Sequence, residues 1–131
     1  MTFVDTSVWF ALFVPSDSDY AAANHWLTTN RSELVTSDYV FDELLTLLKA
    51  RNEYSLASRI GELLLNRSMA RFEWVTTADF QLAWRFFRDF RDKSWSFTDC
   101  VSFAMMQRLA IRKAFAFDHH FRQFGTINVV P

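Results

Sequence analysis

Short apolar segments alternate with amphipathic helical segments along the chain, and this alternation limits the folds that it can adopt. Hydrophobic residues recur with helical spacing between the apolar segments, as at Phe41, Leu44 and Leu48. No Asn-Gly or Asp-Gly pair marks a tight hairpin, so consecutive strands should be parallel and joined by helices. The predicted strands are 2–5, 34–36, 72–75, 114–117 and 127–130. The predicted helices cover about 6–13, 19–29, 38–51, 53–70, 77–90 and 97–112, with a single turn at 119–124.

The length and composition indicate one α/β domain over residues 1–131. Half of the residues are hydrophobic, and 15 Phe and 5 Trp supply enough apolar surface for a core. No apolar run approaches the roughly 20 residues that a membrane span needs, so no membrane association is expected. The single Cys100 excludes an internal disulfide and is typical of a reducing compartment, which favours the cytoplasm.

Acidic residues follow two of the predicted strands and begin one helix. Asp5 ends the first strand, Asp118 follows the strand near the C-terminus, and Asp99 lies in the first turn of the helix that starts at Phe97. In parallel sheets, ligands bind beyond the carboxyl ends of the strands. The sequence therefore predicts that these carboxylates meet in one acidic pocket.

Each of these acids also has an explanation that involves no ligand. Asp5 suits the N-cap of the following helix, Ser96-x-x-Asp99 has the spacing of a capping box, and Asp118 suits a turn. Glu43 differs because it lies in the middle of a helix, where no cap is needed. On a helical wheel it borders the apolar stripe, whereas Asp42 points further towards solvent.

Other polar residues give weaker indications. His119 and His120 adjoin Asp118, but adjacent histidines do not chelate from one helix face, so we expect solvent-facing loop residues. Cys100 has no basic neighbour that would lower the pKa of its thiol, so a buried thiol is favoured over a nucleophile. Arg85, Arg88 and Arg91 suit a solvated helix face better than a surface contacting phosphates. The net charge of −1 is unusual for a nucleic-acid binder, but it becomes +3 when the four acids of the pocket are set aside.

The order of these motifs resembles the PIN-domain ribonucleases, and within them the VapC toxins of toxin–antitoxin pairs. The resemblance rests on Asp5-Thr6-Ser7 after a strand, Glu43 in a helix, Ser96-Phe97-Thr98-Asp99 at a helix start, and Phe117-Asp118 near the end. It implies a three-layer α/β/α domain with a central, mostly parallel sheet of four to five short strands. One departure is Ala116, which stands where many relatives have Thr.

The resemblance also implies a chemistry and partners. Asp5, Glu43, Asp99 and Asp118 would be catalytic and would hold Mg²⁺ or Mn²⁺ for hydrolysis of RNA phosphodiester bonds. Thr6, Ser7 and Thr98 would be nearby hydroxyls that orient the acids, the water or a phosphate. The implied partners are an RNA substrate, a cognate antitoxin and a second copy of the chain. Trp9, Phe10 and Phe13, or the helix at 53–70, could form such interfaces, although a buried core explains them equally well.

Two other functions remain open at this stage. One is a metal-dependent hydrolase of small phosphoesters, although Ser7 occupies the position where the phosphatases with a strand-end Asp carry a second Asp. The other is a non-catalytic protein-binding module whose acids only cap helices. Binding of Mg²⁺ or Mn²⁺ separates the module from both enzymes, because capping acids would bind no divalent ion.

Overall fold

A computed structural model describes residues Met1 to Pro131 and shows one five-stranded sheet. The strands are β1 (Thr2–Val4), β2 (Leu34–Ser37), β3 (Arg71–Glu73), β4 (Lys113–Phe115) and β5 (Asn128–Val130). Their order across the sheet is β3-β2-β1-β4-β5, and every neighbouring pair is parallel. The prediction of an α/β/α domain with a parallel central sheet is therefore confirmed.

Seven helices connect and flank the strands. They are α1 (Thr6–Phe13), α2 (Tyr20–Thr29), α3 (Asp38–Ala50), α4 (Tyr54–Leu65), α5 (Thr77–Asp89), α6 (Phe97–Arg108) and α7 (His120–Gln123). No helix combines the length and the apolar character that crossing a membrane requires.

Helices α4 and α6 end earlier than the sequence predicted. Arg67 and Ala110 have φ values of 61° and 54°, in the left-handed region that ends a helix. In both cases the next N–H donates to the carbonyl five residues back, from Ser68 to Leu63 and from Ile111 to Met106. These are Schellman terminations without glycine, and therefore the sequence carried no obvious stop signal.

The centre of the sheet is fully buried. Phe3, Val35, Ala114 and Phe115 are inaccessible to solvent, as expected for parallel strands covered by helices on both faces. Trp9 and Phe10 of α1 also belong to this core, so they are not available for a partner.

An aromatic cluster fixes the C-terminal segment against α6. The ring of Phe103 lies 5.0 Å from those of Trp95 and Phe121 and 4.4 Å from that of Phe124, measured between centroids. The indole N–H of Trp95 also donates to Gln123 at 3.0 Å. The cluster therefore sets the position of the loop between β4 and α7 relative to the start of α6.

Helix α5 is attached to α6 by a buried carboxylate and leaves one face uncovered. The Nε of Arg108 donates to both oxygens of Asp79 at 2.9 and 3.0 Å. Burial works to raise the pKa of Asp79, but the hydrogen bonds from Arg108 and Thr76 hold it below its ordinary value. Four large side chains on α5 or directly after it remain exposed: Phe80, Trp84, Phe87 and Phe90.

Candidate active site

An acidic pocket of about 330 Å³ opens at the carboxyl edge of β1 and β4. These strands are neighbours, and the N–H of Asp5 donates to the carbonyl of Phe115 at 3.0 Å, so the segments that follow them lie side by side. The pocket contains all four acids that the sequence singled out. Its lining residues are Asp5, Thr6, Ser7, Glu43, Leu47, Ser96, Asp99, Asp118 and His120.

The side chain of Asp5 does not cap α1. Asp5 occupies the N-cap position, but its side chain accepts no capping hydrogen bond from the helix. Instead, its Oδ2 accepts a hydrogen bond of 2.6 Å from the hydroxyl of Ser7. The carboxylate is 6% exposed, so this burial is not explained by helix capping.

Asp99 caps its helix and also lines the pocket. Ser96 and Asp99 form a complete capping box, in which each side chain accepts the other's backbone N–H at 3.0 Å. The capping interpretation is thus correct for Asp99, and it does not exclude a role in the pocket. The accepting oxygen of Asp99 is Oδ2, which leaves Oδ1 without a hydrogen bond from the protein.

The remaining two acids reach the pocket from other elements. Asp118 follows β4 by three residues, and its Oδ1 accepts the backbone N–H of His120 at 3.0 Å. Glu43 is half-buried on α3, whereas Asp42 is exposed, as the helical wheel predicted. Leu47 lies one turn after Glu43 and supplies the only apolar side chain of the pocket.

Burial makes Asp5 and Asp99 harder to ionise, and the charges of neighbouring acids add to this effect. Burial raises the pKa of Asp5 to about 7, against the hydrogen bond from Ser7, and the charges of Asp118, Asp99 and Glu43 add to the rise. Burial also raises the pKa of Asp99, although the N–H of Ser96 and the ring of His120 act in the opposite direction. A bound cation would therefore stabilise such a site.

The donor chemistry of the pocket fits a hard divalent cation. The acids offer only oxygen ligands, and Oδ1 of Asp5 and Oδ1 of Asp99 have no protein donor. The hydroxyl of Thr6 is buried in the same pocket and has no hydrogen-bond partner. No three acidic or histidine side chains are already close enough to bind one ion together, so binding requires these side chains to move closer.

The structure adds His120 to the site and does not place Thr98 in it. We expected His119 and His120 to face solvent; this is wrong for His120, whose side chain is 22% exposed and lines the pocket. The sequence feature that could have indicated this is its position two residues after Asp118. Thr98 does not line the pocket, and only its carbonyl has a side-chain partner, the hydroxyl of Ser102. A larger cavity, of about 560 Å³ beside Phe103 and Arg112, has no acidic lining residue.

The raised pKa of Asp5 predicts a stability that depends on pH. In the folded protein Asp5 binds its proton more tightly than in the unfolded chain, where its pKa is 3.8. Without divalent cations, the free energy of unfolding should therefore fall as pH rises from about 4 to about 7, by up to about 1.4 kcal/mol per pH unit. Asp5→Asn should be more stable than the wild type at pH 8, as measured by urea unfolding in EDTA.

The exposed Asp42→Asn variant provides the control, because its side chain makes no buried contact. A variant Asp5→Asn that is less stable than the wild type at pH 8 would contradict this account of the pocket's electrostatics.

Comparison with known proteins places the chain in a family. The sequence profile of the PIN domain matches residues 2–127. The 23S rRNA-specific endonuclease VapC20 of Mycobacterium tuberculosis, from the strains CDC 1551 and H37Rv, is 33% identical over 131 residues, which are 100% of this chain and 99% of the relative.

Solved structures agree with this assignment. The crystal structure of M. tuberculosis VapC20, described as a sarcin-ricin loop cleaving toxin, superposes with a TM-score of 0.91 at 30% identity and complete coverage of both chains. A toxin–antitoxin complex from Klebsiella pneumoniae and FitAcB from Neisseria gonorrhoeae share the fold, with TM-scores of 0.71 and 0.70 at 12% and 15% identity. Each of these two matches covers 100% of this chain and 97% of the other. The chain therefore belongs to the PIN-domain family, as predicted, and is a homologue of the VapC-type endonuclease toxins.

Proposed function

We propose that this protein is an endoribonuclease that depends on a divalent cation and hydrolyses RNA phosphodiester bonds at the acidic pocket. The observation that carries the proposal is the convergence of Asp5, Glu43, Asp99 and Asp118, from four separate segments, on one pocket. We further propose that residues 1–131 act as a single PIN-like domain.

Mg²⁺ or Mn²⁺ would be held by these four acids. Such an ion, when bound, neutralises charge on the phosphate and promotes attack by water on phosphorus. The protein's own residues prepare the acids for this. Ser7 fixes one oxygen of Asp5, and the capping box fixes one oxygen of Asp99, so that the other oxygen of each is left for a ligand. The free hydroxyl of Thr6 is suited to orient the water or a phosphate oxygen.

The alternatives have less support. A phosphatase with a strand-end Asp needs a second Asp two residues later as acid and base. Ser7 occupies that position here, and its hydroxyl only donates a hydrogen bond to Asp5. A module whose acids only cap helices is disfavoured because Asp5 makes no side-chain cap. The resemblance to VapC20, which is named for ribosomal RNA, supports RNA as the substrate class.

The cleavage prediction compares adjacent acids on α3. Glu43→Gln removes a charge from the pocket and should lower cleavage at least about 100-fold, because stabilisation of the transition state depends on the cation. Asp5→Asn and Asp99→Asn should have effects of the same size.

Asp42→Asn should cleave like the wild type, since Asp42 is exposed and outside the pocket. The measurement is the rate of cleavage of an RNA containing the sarcin-ricin loop, with Mg²⁺ or Mn²⁺ and with EDTA. Full activity of Asp5→Asn in Mg²⁺ would refute the assignment.

A cognate antitoxin is the proposed regulatory partner, and the cytoplasm the proposed location. Both follow from membership of the VapC group, and the free buried thiol of Cys100 suits a reducing compartment.

We also propose that the protein forms a homodimer through the aromatic face of α5. Phe80, Trp84, Phe87 and Phe90 are 46%, 51%, 44% and 43% exposed. Because such side chains bury about 150–250 Å² each when covered, this face exposes on the order of 300–400 Å² of apolar surface. That is about half of what one partner buries in a stable interface of standard size, and it supplies the apolar core of such an interface.

The surroundings of this face suit a second copy of the chain. Charged residues of both signs neighbour it in the sequence, namely Arg85, Arg88, Arg91, Asp89 and Asp92, and such a mixture allows opposite charges to pair across a twofold axis. The face packs against the start of α6, because the ring of Phe97 lies 5.1 Å from that of Phe80. Ser96, which precedes Phe97 in the chain, lines the acidic pocket.

The dimer prediction uses a charge placed in the aromatic face. Trp84→Glu should convert a dimer into a monomer, because it buries a carboxylate in an apolar interface. Tyr54→Glu is the matched control, since Tyr54 is 67% exposed on α4 and lies outside the face. Molar mass from light scattering after gel filtration gives the result. A monomeric wild type, or a dimeric Trp84→Glu, would contradict the proposal.

A further inference from the structure

We propose that His120 is a positioning residue of the acidic pocket, whose imidazole holds Asp99 and whose backbone N–H holds Asp118 in place for a divalent cation. The inference rests on the proposed function, because it concerns the same pocket. It assigns a role to a side chain that we expected to face solvent.

His120 contacts two of the four acids at once. Its Nδ1 lies 3.0 Å from Oδ2 of Asp99 and 3.9 Å from Oδ2 of Asp118. Its backbone N–H donates to Oδ1 of Asp118 at 3.0 Å. No other side chain bridges two acids of the pocket. His120 therefore connects the loop that follows β4 with the first turn of α6.

The ring is held from its other side by Ser94. The hydroxyl of Ser94 lies 3.0 Å from Nε2 of His120. When this hydroxyl donates to Nε2, the ring hydrogen resides on Nδ1 and faces the carboxylates. In that tautomer the ring places an N–H group beside Asp99, 3.0 Å from its Oδ2.

The segments on both sides of the ring are fixed by packing. Phe121 follows His120, is fully buried and lies against Phe103 of α6. Trp95 follows Ser94 and contacts the same Phe103 ring. Because both neighbours belong to one aromatic cluster, the backbone at Ser94 and at His120 is held against the same part of α6.

The contacts assign different tasks to the two oxygens of Asp99. Oδ2 receives the N–H of Ser96 and faces the ring of His120, whereas Oδ1 has no protein donor. A carboxylate held in this way presents a defined oxygen to a cation, which is the usual task of groups that surround metal ligands. His120 is not itself placed as a ligand, because both of its ring nitrogens already face protein oxygens.

Affinity for Mn²⁺, measured by calorimetry on the full chain without RNA, tests this role independently of catalysis. His120→Ala should weaken Mn²⁺ binding about 10-fold, the lower end of the effect expected for a residue that orients metal ligands. His120→Asn should bind nearly like the wild type, because its amide can donate from the position of Nδ1. His25→Ala is the control, since His25 is exposed on α2 and lines no part of the pocket.

A second variant addresses the ring without removing it. Ser94→Ala, at an exposed position, releases Nε2 and should weaken Mn²⁺ binding in the same direction by a smaller factor. Unchanged affinity in His120→Ala and Ser94→Ala, with a wild type that binds Mn²⁺, overturns the role of His120 and leaves the proposed function standing. Equal losses in His120→Ala and His120→Asn also overturn it. A wild type that binds no Mn²⁺ overturns both proposals.

Discussion

The burial of Asp5 and Asp99 in one acidic pocket is the constraint on which the proposed chemistry of this protein depends. Asp5 is almost fully buried at the end of the first strand, and three further acids face the same pocket. A folded protein keeps such a group only if neighbouring donors or a bound cation offset the cost. Ser7, the N–H of Ser96 and the ring of His120 offset part of this cost. A bound cation would offset the remaining cost, and this supports the proposal of a metal-dependent reaction.

The fold brings the acids together by simple means. The parallel pairing of β1 with β4 places the segments that carry Asp5 and Asp118 at one edge of the sheet. Helix α6 contributes Asp99 from its first turn, and the aromatic cluster around Phe103 fixes α6 against the segment of Asp118. Helix α3 adds Glu43 from the side. Each acid thus depends on a different part of the core. A change in packing at Phe103 would shift the acids relative to one another, although Phe103 does not line the pocket.

Much of this arrangement could be predicted from the sequence, since it follows from local patterns. The acids at the strand ends and the capping box at Ser96 can be recognised in the sequence. The parallel sheet follows from the alternation of strands with helices. The ends of α4 and α6 could not be predicted, because Arg67 and Ala110 adopt the left-handed conformation without being glycine. The position of His120 also escaped prediction. It depends on how the turn after Asp118 packs against α6, which is a tertiary contact with no sequence period.

The central claim is that these separated acids bind one or more divalent cations in a common site. The most direct test is a crystal of the protein soaked in Mn²⁺ and measured at a wavelength where manganese scatters anomalously. The account predicts an anomalous peak within coordination distance of Asp5 and Asp99, with Glu43 or Asp118 contributing further oxygens. A well-ordered pocket without such a peak, or a peak bound only elsewhere on the surface, would contradict it.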